Sequence, residues 1–253
     1  MSNKKKPLVT VVTVSYNAVS VIEETILSVL NQDYPYIEYL VIDGGSTDGT
    51  VDVIRKYADR LSYWVSEPDK GIYDAMNKGI VRASGEWINF RNCGDYFIDK
   101  HVITEMFHEE IPEDTILLHG DCRMIYQDRY VDKQPSVLYK SYKKGMPIFH
   151  PTTFVRASYH KEHLYSLKYR SSSDYHFVYN VMQRGLKVVY RPVLLASYDA
   201  VQAFSLTHWR LEHHEIWDWK YPSTWYKPIF EWVDLQKIAL KKQIASFLKI
   251  IKR

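Results

Sequence analysis

The first half of the chain alternates short apolar runs with longer segments in which apolar residues recur every three or four positions. Four runs rich in β-branched and aromatic residues, at 8–14, 39–42, 61–65 and 87–91, predict buried strands. The segments between them have the helical period. Residues 8–95 therefore predict the order βαβαβαβ, which implies a parallel sheet with helices on both faces.

Local signals place the helices between these strands. Ser20-Val-Ile-Glu23 has the spacing of a capping box and predicts the start of the first helix, which ends near Asn31. Its apolar positions recur along one side. They are Val21, Ile22, Ile26, Val29 and Leu30. The next two helices are predicted to end near Tyr57 and Ala83.

The pattern is less regular after Asp95. It predicts helices at 100–110, 174–184, 208–220 and 228–251, a hairpin within 121–139, and strands at 115–118, 151–155, 187–190 and 193–197. No internal repeat or low-complexity linker interrupts the chain. We therefore expect one α/β unit, residues 1–206, followed by a C-terminal helical extension, residues 207–253.

Composition narrows the class of protein. The 253 residues are 46% hydrophobic, which supports a full core, and the net charge of +3 is too small to indicate a nucleic-acid partner. Two cysteines provide no disulfide framework and favour a reducing compartment. No signal-peptide pattern is present, and no apolar run approaches the roughly 18 residues of a membrane span. We expect a cytoplasmic protein, either soluble or peripheral on the membrane.

A polar loop follows each of the four predicted strands. The loops are 15–17, 43–50, 66–71 and 92–95. In a parallel sheet they line the edge at which ligands bind. Each loop alone is more typical of a turn or a helix cap, but the four together favour a ligand site.

The residue types in these loops suit a nucleotide. Glycines allow backbone N–H groups to approach a ligand, Asp43 can accept a hydrogen bond from a ribose or a base, and Lys70 can lie near a phosphate. Asp95 suits a hard cation on a diphosphate. The chain has no G-x-G-x-x-G after its first strand and no G-x-x-x-x-G-K-[ST], which argues against a dehydrogenase and a P-loop enzyme.

Four segments resemble family 2 glycosyltransferases of the GT-A fold. They are Val12-Thr-Val-Ser-Tyr-Asn17, Val41-Ile-Asp-Gly-Gly-Ser-Thr-Asp-Gly-Thr50, Ser66-Glu-Pro-Asp-Lys-Gly-Ile-Tyr-Asp-Ala-Met-Asn-Lys-Gly79 and Ala83-Ser-Gly-Glu-Trp-Ile-Asn-Phe90. The resemblance is strong over 7–99 and looser to about residue 200. It implies a mostly parallel, Rossmann-like sheet flanked by helices, with a nucleotide-sugar-binding half, 7–99, and an acceptor half, 100–206.

The resemblance also implies a reaction: inverting transfer of a sugar from a nucleoside-diphosphate-sugar, with a lean towards UDP-sugars, to a hydroxyl of a saccharide or lipid-linked saccharide. The setting it implies is bacterial surface-polysaccharide biosynthesis. Carried over by position, the donor-binding residues are Thr13, Ser15, Asn17, Asp43, Ser46, Asp48, Asp69, Lys70, Gly71, Asp74, Asn77, Asn92 and Gly94. Among these, Asp43 is expected to contact the base, and Asp69, Lys70 and Gly71 to flank the diphosphate and sugar.

For the metal, the resemblance implies Mn²⁺ or Mg²⁺ at Asp95, which matches the last acidic residue of the family's D-x-D turn. Cys93 stands where the first aspartate is expected. The metal is therefore predicted to rely on Asp95 and on phosphate oxygens, with weaker or less selective binding.

The expected general base is Asp174, in the segment Arg170-Ser-Ser-Ser-Asp174, where Ser173 replaces the glutamate common in the family. A helix N-cap is the alternative role for Asp174. His150 is a candidate for contact with the acceptor or the metal, and a structural histidine is the alternative.

Two further alternatives concern the whole protein. The absent first aspartate is compatible with a non-catalytic nucleotide-sugar-binding subunit, although the presence of both Asp95 and Asp174 argues against it. A nucleotidyltransferase would need a glycine-rich phosphate loop after the first strand, which Ser15-Tyr-Asn17 does not provide.

The last residues, 237–253, carry six positive charges and no acidic residue. An apolar stripe with helical spacing runs through them, and five tryptophans precede them. The stripe comprises Leu240, Ile244, Phe247, Leu248 and Ile251. This pattern predicts a helix in the interface of an anionic membrane, and the alternative is packing against the α/β unit or a partner subunit.

Overall fold

The structure is a computed structural model that describes residues 6–135 and 146–199, together with Glu212, Glu215 and Ile216. The chain divides into two compact units, Met1–Ala203 and Phe204–Arg253. The strands are β1 (Val9–Ser15), β2 (Ile37–Asp43), β3 (Tyr63–Ser66), β4 (Trp87–Phe90), β5 (Thr115–Ile125), β6 (Tyr130–Lys133), β7 (Thr153–Arg156) and β8 (Lys187–Asp199). The α-helices are α1 (Ile22–Leu30), α2 (Thr50–Arg55), α3 (Ile72–Arg82), α4 (Val102–Met106), α5 (Ala157–Glu162) and α6 (Ser173–Gln183).

The first four strands form the predicted parallel half of the sheet, in the order β3-β2-β1-β4. Ser15 at the end of β1 pairs with Asp43 at the end of β2, and Asp43 pairs with Ser66 at the end of β3. Because parallel strands end at the same edge, this register places three polar strand ends side by side.

The rest of the sheet is mixed. β4 is followed across the sheet by β7 and β5, both in antiparallel pairing, and β5 also pairs antiparallel with β6 and parallel with β8. The hairpin expected within 121–139 is observed as the end of β5 and β6, with residues 136–139 outside the described part.

Two predicted strands, 187–190 and 193–197, are the single strand β8. Its pairing with β5 shifts between His119 and Asp121, opposite the segment that contains Pro192. Proline has no N–H to donate to the ladder, so the strand continues past it through an irregularity.

Alternating residues of β1 face two separate hydrophobic clusters, as the period of two in a strand requires. Val9 and Val11 pack in the cluster that contains Ile22 and Ile26 of α1, both 0% exposed. Val12 and Val14 pack in the cluster that contains residues of α3 and α6. Helices thus cover both faces of the sheet, and each fully buried isoleucine of α1 contributes about 1.5–3 kcal/mol.

Helix boundaries differ from the prediction at several places. The residue before α1 is Val21 and its side chain makes no capping hydrogen bond, so the capping box at Ser20 is wrong. The helix expected at 100–110 forms only as α4, and α5 was not predicted, because helices of five or six residues show little periodicity.

The helices expected at 208–220 and 228–251, and the basic tail, lie outside the described residues except for Glu212, Glu215 and Ile216. Within the described part of the chain, no helix has the length and apolar character needed to span a membrane.

Candidate active site

Asp43 is the centre of a hydrogen-bond network at the carboxyl edge of the sheet. Its Oδ1 accepts from the hydroxyls of Ser15, at 2.8 Å, and Ser46, at 2.5 Å. Its Oδ2 accepts from the Ser66 hydroxyl at 2.6 Å and from the backbone N–H groups of Gly45 and Ser46, at 3.1 and 2.9 Å. The network joins the ends of β1, β2 and β3 through one carboxylate.

Asp43 is 0% exposed. Burial by itself raises the pKa of its carboxyl, but the hydrogen bonds from Ser46, Ser66 and Ser15 outweigh burial and bring the pKa below its usual value. Asp43 is therefore ionised at neutral pH, and both of its oxygens are already occupied by donors from the protein.

The loops after β1 and β2 are also joined directly. The Asn17 N–H donates to the Ser46 hydroxyl at 2.8 Å, and the Asn17 side-chain oxygen accepts from the Thr47 N–H at 3.0 Å. Asp48 accepts from the Val19 N–H at 3.1 Å. Asn17 has a positive φ of 47°, a conformation that asparagine tolerates better than most residues.

Thr13 lies beneath this edge. It is 0% exposed, and its hydroxyl is 2.9 Å from the Tyr39 hydroxyl. Among the candidate donor-binding residues of β1 and β2, Thr13 therefore lies inside the sheet, whereas Ser15 and Asp43 lie at its edge.

The loop after β3 leads into α3. Asp69 accepts from the Gly71 N–H at 2.7 Å, and Asp74 accepts from the Lys70 N–H at 3.0 Å, so both carboxylates order the start of the helix. The Lys70 side chain is exposed. Gly71, with φ 112°, occupies a conformation that favours glycine.

Asn77 lies one turn further along α3. Its side chain forms two hydrogen bonds, both 2.9 Å long, with the backbone of Tyr165. Asn77 thus fixes the segment that carries Tyr165, using both the nitrogen and the oxygen of its amide.

The turn after β4 carries Asn92, Gly94 and Asp95. The Gly94 N–H donates to the Thr25 hydroxyl at 3.1 Å, which in turn donates to the Asp95 carbonyl at 3.0 Å. These bonds attach the turn to α1. Asp95 is 7% exposed, and the side-chain oxygen of Asn92 is buried with no hydrogen-bond partner in the part of the chain that the structure describes.

Cys93 places a thiol where the turn lacks a carboxylate. Burial, followed by the negative charges of Asp43 and Asp95, raises the pKa of its thiol far above the usual value, so the thiol is neutral. In the described ranges, no group of three or more histidine, cysteine, aspartate or glutamate residues has a geometry that could hold a metal. The turn fits a cation bound through Asp95 and ligand oxygens, a pattern typical of Mg²⁺, rather than an all-protein metal site.

Arg91, directly after β4, is a buried cation beside this turn. It is 0% exposed, with one nitrogen 2.9 Å from the Asn89 side-chain oxygen and its guanidinium 3.9 Å from the centre of the Phe97 ring. Its Nε and Nη1 are buried and have no hydrogen-bond partner among the described residues. Burial lowers the pKa of Arg91 to about 10, while the charge of Asp95 acts in the opposite direction, so Arg91 remains charged at neutral pH.

Asp174 lies in the first turn of α6 and lines a narrow cavity. Tyr73 of α3 donates its hydroxyl to Oδ1 of Asp174 at 2.8 Å. Oδ2 has no hydrogen-bond partner in the part of the chain that the structure describes. The residue that precedes α6 is Ser172, and no side chain caps the helix, so the N-cap alternative for Asp174 is wrong.

His150 lines the same cavity. Its ring stacks on Phe90 with centroids 5.6 Å apart, and its Nε2 is 3.1 Å from the Tyr165 hydroxyl. Burial lowers the pKa of His150, although the charge of Asp174 acts against this, so His150 is neutral at neutral pH. His150 and Asp174 therefore share one cavity.

Comparison with known proteins assigns the chain to a family. The family model for glycosyl transferase family 2 matches residues 10–181. The chain belongs to this family.

Relatives within glycosyl transferase family 2 match only part of the chain. An uncharacterized glycosyltransferase of Mycobacterium tuberculosis is 35% identical over 156 residues, 60% of either protein. TuaG of Bacillus subtilis, a glycosyltransferase named for teichuronic acid biosynthesis, is 41% identical over 93 residues, 36% of this chain and 37% of TuaG. This family 2 chain therefore covers less than two thirds of the length of each of these relatives.

Solved structures confirm the predicted GT-A fold. Residues 1–349 of TarS from S. aureus, in complex with UDP, superpose with a TM-score of 0.64 and 19% identity, covering 83% of this chain and 64% of that one. The mannosyltransferase PcManGT from Pyrobaculum calidifontis, in complex with GDP-Man and Mn²⁺, gives a TM-score of 0.65 and 23% identity, covering 90% and 69%.

Sequence reasoning missed four residues of this glycosyl transferase family 2 site. Tyr16 is 67% exposed in a polar loop directly after a buried strand, and that position is itself a signal for ligand contact. The charge of Arg91 at the end of a predicted buried strand was a second signal. Ser66 and Tyr73 gave none, because their contacts depend on strand register and on chain segments far apart in the sequence.

Proposed function

We propose that this chain is an inverting glycosyltransferase that transfers a sugar from a nucleoside-diphosphate-sugar to a hydroxyl of a saccharide or lipid-linked saccharide in polysaccharide biosynthesis. The observation that carries the proposal is the pairing of two features in one fold. Loops after four parallel strands meet at one sheet edge, and Asp174 lies in a cavity beside β4 with one oxygen that makes no hydrogen bond to the described residues. The name of TuaG and the nucleotides bound to TarS and PcManGT support it.

In the proposed reaction the acceptor hydroxyl oxygen forms a bond to the anomeric carbon while the bond from that carbon to the phosphate oxygen breaks. The nucleoside diphosphate leaves with the electron pair, and the hydroxyl proton passes to Oδ2 of Asp174. Tyr73 holds the other oxygen of Asp174 at 2.8 Å, and the pKa of Tyr73 is raised by burial and then by Asp174, so Tyr73 stays protonated and remains a donor.

The donor would lie across the sheet edge, with its diphosphate near Lys70 and Asp95. A divalent cation, Mn²⁺ or Mg²⁺, would neutralise charge on the departing diphosphate when bound. The Mn²⁺ in the PcManGT complex supports a divalent cation for the fold, and the choice between the two metals is part of the test below.

The test combines binding with turnover. A thermal-shift panel of UDP, GDP and dTDP with Mn²⁺ or Mg²⁺ identifies the nucleotide, since a ligand at 100 times its Kd stabilises the fold by about 2.7 kcal/mol. Release of the nucleoside diphosphate from the matching sugar donor is then measured for the wild type, Asp174→Asn and the control Asp114→Asn, an exposed carboxylate paired with Lys187 at 2.9 Å.

Asp174→Asn is expected to bind donor normally and to lose about 10²–10⁴ in rate, because the amide cannot take the proton. Asp114→Asn is expected to match the wild type. Near-normal transfer by Asp174→Asn would place the base elsewhere.

A non-catalytic nucleotide-sugar-binding subunit is the second candidate. It is favoured by Cys93, which stands where the first aspartate of the family's turn is expected. Donor binding without any metal-dependent transfer or donor hydrolysis would support this candidate against the first.

We also propose, from the sequence alone, that residues 237–253 attach the protein to anionic membranes. Each basic residue near such a surface contributes about 1 kcal/mol. Deletion of 237–253 is expected to abolish sedimentation with anionic liposomes at low salt while leaving donor binding unchanged. Equal sedimentation of the truncated and full-length proteins would contradict this proposal.

A further inference from the structure

The hairpin of β5 and β6 projects past the sheet edge at which the four polar loops lie. β4 and β5 both pair antiparallel with β7, so they run in the same direction and end at the same edge. Asn89 of β4 and Leu118 of β5 pair with the same residue, Phe154. β4 ends one residue after Asn89, whereas β5 continues for seven residues after Leu118. At about 3.3 Å per residue, β5 therefore extends about 20 Å further than β4.

Within this hairpin, β6 lies on the side of β5 that faces β4. β8 pairs with β5 over Thr115–Ile125 and so occupies the opposite edge. β6 and β7 therefore share the remaining edge, one after the other. Burial, and then the charges of Asp95 and Asp132, raise the pKa of the Cys122 thiol to about 12. The hairpin thus lies close to the turn that carries Asp95.

One face of the hairpin continues the sheet face that holds the cavity of the proposed base. Thr153, which lines that cavity, pairs with His119 of β5, so their side chains share a face. Side chains alternate along a strand, and Arg123 therefore returns to this face four residues later. Asp132 of β6 pairs with Arg123, and Tyr130, two residues before Asp132, lies on the same face.

Three side chains on this face hold one another in place. Nε and Nη2 of Arg123 donate to the two carboxylate oxygens of Asp132 at 2.7 and 2.8 Å. This hydrogen bonding lowers the pKa of Asp132, so the pair is ionised at neutral pH. The guanidinium carbon of Arg123 lies 4.3 Å from the centre of the Tyr130 ring, and Tyr130 remains 63% exposed. An exposed aromatic ring is therefore supported from one side by a fixed ion pair.

This arrangement has the chemistry that a sugar ring requires. The C–H face of a sugar is removed from water when it stacks on an aromatic side chain. Sugar hydroxyls both donate and accept hydrogen bonds, whereas a guanidinium only donates and a carboxylate only accepts. Nη1 of Arg123 makes no hydrogen bond to the described residues, and 43% of the Asp132 side chain is exposed, so both complements are available. The contact with Arg123 also reduces the entropy that Tyr130 would lose on binding.

We propose that Tyr130, Arg123 and Asp132 bind a second sugar of the acceptor, while the hydroxyl that receives the transferred sugar lies at Asp174. This inference rests on the proposed function, because it extends the acceptor site of the same reaction. It names the acceptor class as a chain of at least two sugars. Pairing of β6 with a second copy of this chain is the competing use of the hairpin. Charged side chains on a strand edge, here Asp132 and Lys133, oppose such pairing.

The experiment compares disaccharides with monosaccharides. The probes are the methyl glycosides of glucose, galactose, mannose and N-acetylglucosamine, and those of cellobiose, lactose, mannobiose and chitobiose. Saturation-transfer NMR titrations without donor or metal give each Kd. The proteins are the wild type, Tyr130→Ala, Tyr130→Phe, Arg123→Met and the control Tyr36→Ala. Tyr36 is 46% exposed and directly precedes β2, at the opposite edge of the sheet. Circular dichroism and the thermal midpoint establish that each variant is folded.

In the wild type, at least one disaccharide is expected to bind about tenfold more tightly than its matching monosaccharide, the scale of one stacked sugar face. Tyr130→Ala is expected to bring this ratio to about one, with the affinity for the monosaccharide unchanged. Tyr130→Phe keeps the ring and should retain the ratio, as should Tyr36→Ala. Arg123→Met should reduce the ratio about threefold or more, because the ring loses its support and the hydroxyls lose a donor.

An unchanged ratio in folded Tyr130→Ala, or a wild type that binds no disaccharide more tightly than the monosaccharide, would overturn this inference and leave the proposed function standing. A dimer in sedimentation velocity that Tyr130→Ala dissociates would also overturn it, because the hairpin would then bind a second copy. A wild type that releases no nucleoside diphosphate from any sugar donor would overturn the proposed function, and this inference with it.

Discussion

Substitution of Asp43 by asparagine tests the network that joins the strand ends. Asparagine has nearly the same shape, and the two hydroxyls at Oδ1 can turn to accept from the amide nitrogen, so all five hydrogen bonds can be retained in neutral form. A hydrogen bond to a charged group contributes about 1.5–3 kcal/mol, and a neutral one about 0.5–1.5 kcal/mol. The loss is about 1 kcal/mol for each bond.

Part of this loss is recovered, because the folded protein no longer has to desolvate an ionised carboxylate. The folded protein still favours the ionised carboxylate, since the pKa of Asp43 is lowered despite its burial. We therefore expect Asp43→Asn to reduce the free energy of unfolding by about 2–4 kcal/mol at pH 7.

The pH dependence separates this effect from a simple packing defect. Because the pKa of Asp43 is lower in the folded than in the unfolded chain, where it is about 3.9, its charge stabilises the fold above that value. The stabilisation is lost as the pH falls through the folded pKa. The difference between wild type and Asp43→Asn should be constant from about pH 5 to 7 and should decrease below about pH 4.

Urea unfolding monitored by circular dichroism at pH 7, 5, 4 and 3.5 measures this difference. Asp52→Asn is the matched control, because Asp52 is exposed and forms only a surface pair with Arg55 at 2.8 Å. Equal stability of Asp43→Asn and wild type at pH 7, or a difference that persists unchanged at pH 3.5, would refute the reasoning.

Three further substitutions test other parts of the site. Asp95→Ala should remove most of the Mn²⁺-dependent affinity for the nucleotide, measured by calorimetry with and without Mn²⁺, and an unchanged metal dependence would contradict the assignment. Tyr73→Phe should lower kcat about tenfold with unchanged donor Kd, because Asp174 loses the donor that orients it; a change in donor affinity alone would contradict that role. Arg91→Met should destabilise the protein by about 3 kcal/mol in urea unfolding, because it leaves the nearly buried Asp95 without the opposing charge and removes the contact with the Phe97 ring and the donor to Asn89; unchanged or increased stability would contradict it.

The parallel half of the fold was predictable because its strands are fully buried. Residues 9–14 and 39–42 carry no charge and are buried on both faces, and polar loops follow them. The same apolar runs determine the register, which aligns Ser15 with Asp43. The sheet edge, and hence the position of the four loops, follows from these features.

The direction of the later strands was not predictable from the same signals. β7 has four residues, and the direction in which it pairs depends on packing against β4 and β5 rather than on its own sequence. β8 was divided in the prediction because Pro192 resembles a strand end.

Contacts between distant segments were also beyond sequence reasoning. Tyr73 and Asp174 are 101 residues apart, and their hydrogen bond depends on the packing of α3 and α6 on the same face of the sheet. Likewise, the donors that occupy the oxygens of Asp43 come from the end of β1, the loop after β2 and the end of β3. The sequence indicated a carboxylate that was available to a ligand, whereas in the structure its oxygens already accept hydrogen bonds from the protein.

The charges at the sheet edge bear on the cation proposed for the donor site. The charges of Asp43 and Asp95 both act on the Cys93 thiol, so the loops after β2 and β4 concentrate negative charge in a small volume. Arg91 offsets part of it, but Arg91 is 0% exposed and cannot reach a ligand. A diphosphate would add further negative charge, and like charges about 4 Å apart repel by about 4 kcal/mol at an effective dielectric constant of about 20. Exposed Lys70 supplies a single positive charge against this repulsion, so we expect nucleotide binding to depend on a divalent cation.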